Sequence, residues 1–278
     1  MGSALARHLN QAGYKITACI DKRTARSRDL ANELTIPDCF YSLQKIGEET
    51  QVALIAVPDA EIANIDRSIN KSPSSSSFHY CIHTSGALPA SILENSSGNG
   101  IAVGSMHPLQ TFTSVDKSPS LKGAYFAIEG DSKAVELMEE VILQMGGIPV
   151  KLPPEGKSQY HAAAVFASNF IPVLLREALL LLSSLDVPPT LGRKMLRPLM
   201  ETSLNNCLNS GEIQALTGPV VRGDAETVKC HLEVLSETDP STEPLYRILT
   251  IKALELAIEK GLEKEKVDSI LNVLDDQD

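Results

Sequence analysis

The sequence lacks paired cysteines, an excess of basic side chains and any long unbroken apolar run. Its five cysteines, Cys19, Cys39, Cys81, Cys207 and Cys230, are scattered, odd in number and never in a CxxC pair. That spacing argues against a disulfide framework and offers no structural metal site; buried, reduced thiols in the cytoplasm are the expected state. Lys and Arg number 25 against 35 Asp and Glu, a formal charge of -10. Phosphate backbones need a basic stripe, so nucleic acid is not an expected partner. A nucleotide needs only backbone amides and one or two cations, and the charge does not exclude it. The most apolar run, Ile171 to Leu182, is interrupted by Arg176 and Glu177, so no membrane span is expected. The first residues read as an amphipathic helix, unlike a signal peptide.

What the sequence does contain changes period along its length. From Lys15 to Lys151, short apolar runs (KITACID, VALIAV, HYCIHT, GIAVGSMH, GAYFAIEG and GGIPVKL) alternate with helical patterns such as Thr24 to Leu34 and Lys133 to Met145. Such alternation predicts βαβ units and a covered parallel sheet. The Ser-rich stretch around Ser74 reads as a surface loop. After Pro153 and Pro154 the strand pattern stops, and helices are expected over about 157–185, 188–208, 224–236 and 242–274, the last broken at Gly261. The expected division is an α/β dinucleotide-binding domain over 1–152 and an all-helical domain over 153–278.

The chain opens on a helix that runs to Gly13, then KITACID ends at Asp21. This is the second half of a dinucleotide-binding unit, in which a strand and the first two glycines of GxGxxG precede the helix. Gly2 takes the place of the third glycine, and its distance to Asp21 suits the ribose-binding acid. Roughly ten residues holding a central strand are expected to be missing, and the pyrophosphate-binding glycines with them. A capped surface helix before a strand would give the same pattern. At the strand end, Asp21 favours NAD, whereas Lys22, Arg23 and Thr24 favour the 2′-phosphate of NADP; the balance tips toward NADP. A solvated turn is the alternative.

Several motifs then carry a family resemblance: VPDAEI from Val57, HTSGA from His83, GSMHPLQTF from Gly104, FAIEGD from Phe126, YHAAAVFASN from Tyr160 and ALTGPVVRGD from Ala215. In this order the chain resembles Rossmann-like proteins that carry the DUF2520 domain, relatives of F420- and NADP-dependent reductases. The resemblance implies a Rossmann domain followed by a helical dimerisation domain like that of 6-phosphogluconate dehydrogenase. It implies no substrate, and the absent first strand departs from its pattern.

Strand ends mark the expected crevice: Val57, Pro58 and Asp59; His83, Thr84 and Ser85; and His107. The first six are expected to line the cofactor. Histidine exchanges protons near neutral pH, which suits hydride chemistry at a carbon–oxygen or carbon–nitrogen bond. GSMHP also resembles the HP turn of prephenate dehydrogenases, where a histidine bonds the reacting hydroxyl. For His83 and His107 a loop cap is the alternative. Lys157 and His161 share a helix face, with Ser168 seven further on. This helix is apolar on all sides and therefore expected to be buried, with a kink where Pro172 leaves the Ser168 carbonyl unpaired. Related dehydrogenases place a lysine and an asparagine on such a helix, for which Lys157 and Asn169 are the analogues; Asn169 as a polar plug at the kink is the alternative. His107, His161, Lys157 and Asn169 form the expected catalytic set, with Ser168, Thr217 and Arg222 toward substrate. Asp224 can cap the next helix, and an Arg222–Asp224 ion pair competes with anion binding. The expected function is NAD(P)-dependent oxidoreduction of a small anionic carbonyl, hydroxy or imine compound by a homodimer; a non-catalytic nucleotide sensor is the alternative.

Overall fold

The computed structural model describes residues 1–36, 38–40, 46, 49–72, 77–113 and 119–276, with the backbone alone for 38–40. Residues 73–76 of the Ser-rich stretch and the Cys39 side chain lie outside these. The chain divides into two compact units, Met1–Asn169 and Phe170–Asp278. Strands end at Lys151, as the Pro153-Pro154 pair predicts, yet the compact division falls later. The buried side chain of Lys157 ties the next helix to the sheet.

The first unit runs α1 (Gly2–Gln11), β1 (Ala18–Ile20), α2 (Thr24–Leu34), β2 (Asp38–Phe40), β3 (Val52–Ile55), α3 (Asp59–Asn70), β4 (Tyr80–His83), α4 (Glu94–Gly98), β5 (Ala102–Pro108), β6 (Tyr125–Gly130), α5 (Ser132–Gln144), β7 (Ile148–Lys151) and α6 (Lys157–Ala164). Its strands form two sheets, β1-β2 and β3-β4-β5-β6-β7. All neighbouring pairs are parallel except β5 with β6. An all-parallel sheet is therefore not what forms. Parallel return needs a crossover, and no helix joins β5 to β6 among the described residues. The sequence reading also passed over β2, too short to show a period.

Alternation along the strands explains the two apolar layers. Ile82 and Met106 face Leu5 of α1 and Met138 and Ile142 of α5. Cys81 and Val103 face the other way, toward Ile62 and Ile69 of α3 and Leu93. β6 approaches β5 closely at Gly130, which has φ +137° and where a Cβ would stand 2.3 Å from the Val103 carbonyl oxygen. Below the second layer sits Asp66, wholly buried on α3. Its carboxylate accepts from the Asn95 backbone amide at 2.8 Å, the Asn95 side chain at 3.0 Å, the Ser96 amide at 3.1 Å and the Ser96 hydroxyl. It thereby satisfies the first amides of α4 and supplies the negative end that a helix start favours.

The long helix after Pro154 is not continuous α-helix. Val165–Asn169 form a π turn before α7 (Ile171–Ser183) begins, with Pro172 in its first turn. The expected kink thus takes the form of a widened turn, which rehouses the carbonyls that Pro172 cannot serve. Its burial was overestimated: Phe166 is 72% exposed and Leu174 44%. Contrary to the reading of the sequence, the helical run Pro154–Ser183 is long and apolar enough to cross a membrane by length and composition, with mean hydropathy 1.7 over an 18-residue window within it. Its first turn is nonetheless pinned to the sheet through Lys157.

The second unit continues with α8 (Pro189–Ser210), α9 (Glu212–Ala215), α10 (Pro219–Arg222), α11 (Ala225–Thr238), α12 (Glu243–Glu259) and α13 (Lys264–Asp275). Its core joins Val220, Val228, Leu232, Leu254, Ile270 and Leu274 from the last four of these. Gly261, at φ +100°, makes the break between α12 and α13 that the sequence predicts.

Replacing Asp66 by alanine leaves these four donors and the Asn70 side-chain amide, which also reaches the carboxylate at 3.3 Å, facing a void, so it should cost about 2–4 kcal/mol of stability. Urea unfolding of the two proteins measures this. A loss under about 0.5 kcal/mol, the scale of surface changes, would remove Asp66 from the structural frame.

Candidate active site

β4 and β5 run parallel in the register His83 to Ser105, so their carboxyl ends lie side by side. Open parallel sheets bind ligands beyond such ends. Alternation puts Ser105 and His107 on one face of β5. Against this face the chain brings the first turn of α6. Lys157 is only 1% exposed. Its ammonium donates to the Ser85 carbonyl at 2.8 Å and to the Ser105 hydroxyl at 2.6 Å. The Ser105 hydroxyl lies 3.2 Å from the same carbonyl. Burial pulls the Lys157 amine down to about 8, against the pull of Glu129 and Asp59, whose negative charges favour the ammonium. Glu129 is itself buried on β6, accepts from the Ala90 amide at 2.7 Å, and has its pKa raised by burial.

Three and four residues along the same helix come Tyr160 and His161. The Tyr160 hydroxyl is 2.9 Å from His107 Nδ1. The His107 and His161 rings meet edge to face with centroids 5.9 Å apart. Both close on Gly86, where a Cβ would stand 2.7 Å from His161 Nδ1 and 2.9 Å from His107 Nε2. A glycine is what lets the turn after β4 slide under two imidazoles. Burial, and after it the charges of Lys157 and His161, push the His107 pKa down to about 4. Burial raises the Tyr160 phenol to about 12. At neutral pH the pair is therefore uncharged. His161 Nδ1 is buried and has no hydrogen-bond partner among the described residues. A buried imidazole nitrogen without a partner is a position where a bound polar atom belongs.

The structure thus brings Lys157, His161 and His107 together, as the sequence reading expects. Asn169, the last residue of the π turn, is exposed, and Ser168 is half-buried. The wider turn resets the helical phase, so the expected stripe from Lys157 to Ser168 breaks.

His83 needs correction as a crevice residue. It is fully buried; its Nδ1 accepts from the Ser85 amide at 3.1 Å and its Nε2 meets the Pro89 carbonyl at 3.2 Å. Thr84 and Ser85 are buried too, and the Ser85 hydroxyl accepts from the Ala87 and Leu88 amides. The His83 and Ser85 side chains hold the turn that carries Gly86, and all three side chains at 83 to 85 are buried.

At the head of α3, Val57 is half-buried and Pro58 and Asp59 are exposed. Gly2 shows the close helix–strand approach expected of a third fingerprint glycine: a Cβ there would be 2.9 Å from Ala56 Cβ. The Asp21 carboxylate accepts from the Arg23 amide at 2.7 Å, and Lys22 lies 3.4 Å from Glu61. All three side chains at 21 to 23 reach solvent. In the second unit, Thr217 is exposed, Arg222 lies 3.6 Å from Asp224, and Asp224 caps α11 through the Thr227 amide at 3.1 Å. The ion pair and the cap are what form there.

Tyr160 and Gly86 stand in motifs the sequence reading singles out, but neither was given a role in the site. Their signal was adjacency: Tyr160 precedes His161, and Gly86 follows the HTS triplet.

His83 and His107 both stand near pKa 4 in the fold, against 6.5 ordinarily. Between those values the unfolded chain binds more protons, so stability rises with pH and is lost on acidification from about 6.5 to 4. A His107→Gln variant should lose less stability between pH 7 and pH 5 than the parent in urea titrations. An equal loss would show that His107 takes up its proton freely in the fold.

The fold is similar to that of a candidate NADP oxidoreductase from Bacteroides fragilis, 22% identical over 91% of this chain and 93% of that one, with TM-score 0.76. A protein from Thermotoga maritima is 24% identical over 93% and 97%, at 0.72. An imine reductase from Myxococcus stipitatus, in complex with NADP+, is 16% identical over 98% and 96%, at 0.65. At these identities the likeness shows the fold. No curated protein matches the chain. Residues 1–108 match the Rossmann-like domain, and residues 124–253 match the domain of unknown function DUF2520. The chain therefore belongs to the Rossmann-like proteins that carry a DUF2520 domain.

Proposed function

We propose that this protein is an NAD(P)-dependent oxidoreductase acting on a small anionic carbonyl, hydroxy or imine compound. The observation that carries the reading is the convergence of His107, Tyr160 and His161 on Gly86 at the strand ends. Fold neighbours described as NADP oxidoreductase and as imine reductase support the same class. The residues present suit one half of a dinucleotide. Gly2 gives the close approach, Asp21 stands at the ribose position, and Lys22 and Arg23 offer exposed cations to a 2′-phosphate, which favours NADP over NAD. When bound, the nicotinamide supplies the hydride.

The chain's own residues handle position and protons. Tyr160, protonated at neutral pH, donates to His107 Nδ1; the imidazole proton then stands on Nε2, beside Gly86, where it bonds the reacting oxygen or nitrogen. A neutral imidazole can polarise such an atom without carrying a charge. His161 Nδ1 binds the same atom or the water that replaces it. Lys157 is too deeply covered to touch substrate and is a positioning residue: it fixes Ser85 and Ser105 beneath the imidazoles, and its charge helps keep His107 neutral. Asn169, Ser168, Thr217 and Arg222 remain proposed substrate contacts.

His107→Ala should lower turnover of a cyclic imine or keto acid by roughly 10²- to 10⁴-fold and leave NADPH affinity within about twofold. Activity retained within about tenfold would take His107 out of the chemistry. We further propose that a second copy covers the helical unit, where Leu199, Leu208, Ile248 and Ile258 are each at least half exposed. Sedimentation at micromolar concentration should give a dimer mass, and a monomer would refute this.

A further inference from the structure

The FAIEGD motif that begins at Phe126 holds a buried carboxylate to which the proposed chemistry gives no task. Glu129 is 4% exposed on β6. In the antiparallel pairing of β5 with β6 it stands opposite Ser105. Residues paired in this way point to one face of the sheet, with Cβ atoms about 4.5–5.5 Å apart. Glu129 therefore shares the face on which the Ser105 hydroxyl accepts from the Lys157 ammonium at 2.6 Å. Its own carboxylate is turned to the segment after β4, where Oε1 accepts from the Ala90 amide at 2.7 Å. That segment is gripped at both ends. Lys157 holds its start through the Ser85 carbonyl at 2.8 Å, and Glu129 holds its end through Ala90. Gly86 lies between the two grips, against both imidazoles. Hydrogen bonds with an ionised partner are roughly twice as strong as neutral ones, so each grip outweighs an ordinary turn bond.

We propose that Glu129 is a positioning residue of this site, a role that rests on the oxidoreductase reading for its effect on turnover. Its carboxylate fixes the far end of the Gly86 turn and supplies, from the facing strand, the negative charge that keeps Lys157 an ammonium at the near end. A buried cation keeps its proton only with opposite charge close by. The charged and titratable groups around Lys157 are Glu129 on β6, Asp59 at the head of α3, His83 at the end of β4, His107 on β5, and Tyr160 and His161 on its own helix. Burial drives His83 and His107 neutral and raises the Tyr160 phenol, so none of these balances the ammonium. Asp59 is exposed, and water screens it. The buried counter-charge is Glu129. Burial raises its pKa, while the Ala90 amide and the Lys157 charge favour the carboxylate. Lys157 stands at about 8, lowered by burial against the pull of Glu129 first and Asp59 second. Without the Glu129 charge the ammonium gives up its proton at lower pH. His107, kept neutral in part by that ammonium, then loses one cause of its neutrality.

Two substitutions in the full chain separate charge from hydrogen bond. Glu129→Gln keeps an oxygen for the Ala90 amide and removes the charge. Glu129→Asp keeps the charge and draws it back by one methylene. Lys157 is titrated by NMR with carbon-13 beside the lysine amines, its signal assigned by its loss in Lys157→Arg. It should titrate near 8 in the parent. In Glu129→Gln it should titrate about one pH unit or more lower, and in Glu129→Asp within about half a unit of the parent. Amide exchange at Ala90 should hold the parent rate in Glu129→Gln and rise about tenfold or more in Glu129→Asp. With NADPH and a cyclic imine, the alkaline fall in turnover should move to lower pH in Glu129→Gln by the interval that Lys157 moves. The parent supplies a check that needs no variant: the Glu129 carboxyl carbon should shift as Lys157 loses its proton. An unmoved Lys157 titration in Glu129→Gln, or an unmoved Glu129 carbon in the parent, overturns the proposal. So does a shift in Glu129→Asp as large as in Glu129→Gln, which assigns the effect to repacking, or an Ala90 amide that exchanges alike in all three proteins. A parent that turns over no imine or carbonyl compound would count against the oxidoreductase reading, and the two titrations would still decide the role of Glu129.

Discussion

An ammonium group held under the end of a β-sheet is costly unless every donor finds an acceptor and opposite charge lies near. Lys157 has two acceptors for its three N–H groups, the Ser85 carbonyl just after β4 and the Ser105 hydroxyl on β5, and the negative charges of Glu129 and Asp59 around it. The rest of the candidate site depends on this. The side chain fixes where α6 begins, and so places Tyr160 and His161 one turn later over His107. It also draws together the ends of β4 and β5, since one nitrogen touches residues from both. The compact first unit extends past the proline pair to Asn169 and so includes this tie.

That charge has a second consequence for the chemistry. Histidine invites the idea of a proton donor with a pKa near neutrality, and on that basis the sequence alone ranks His107 and His161 as acids. Buried beside a cation, His107 is driven the other way and stays neutral. Its use lies in two nitrogens with different neighbours, a phenol on Nδ1 and the Gly86 backbone by Nε2. Gly86 therefore matters as much as the histidines: any side chain there would push both imidazoles aside.

The strands and the helices of the second half were legible because their periods are long or their bounds are marked. Thr24–Leu34 is a helix over the expected residues, and Gly261 ends one at positive φ. The meeting of His107 with Lys157 and His161 was legible too, because strand ends and a following helix have few ways to meet in this architecture. What could not be read depends on contacts distant in sequence. The reversal of β6 has no local signature, since Tyr125–Gly130 suits either direction. His83 and His107 both end strands in similar settings, yet the first is consumed by Ser85 and Pro89 and the second is not. The apolar faces of α7 suggested a core, but an apolar helix specifies only that something covers it.

The five-stranded ladder and the two-stranded ribbon of the first unit are held in different ways. The five strands from β3 to β7 have both faces covered, and the strand ends that carry His83, Ser105 and His107 lie within that ladder. β1 adds no residue to either buried core cluster, and Ile20 remains 38% exposed. β1 leads to Asp21, Lys22 and Arg23. The imidazole cluster is thus preformed by a closed ladder, whereas the turn proposed to meet the ribose hangs on a two-stranded ribbon, an arrangement marginal by itself. Within this unit, the position of that turn relative to His107 is set through α1 and side-chain contacts, with no continuous backbone ladder between them.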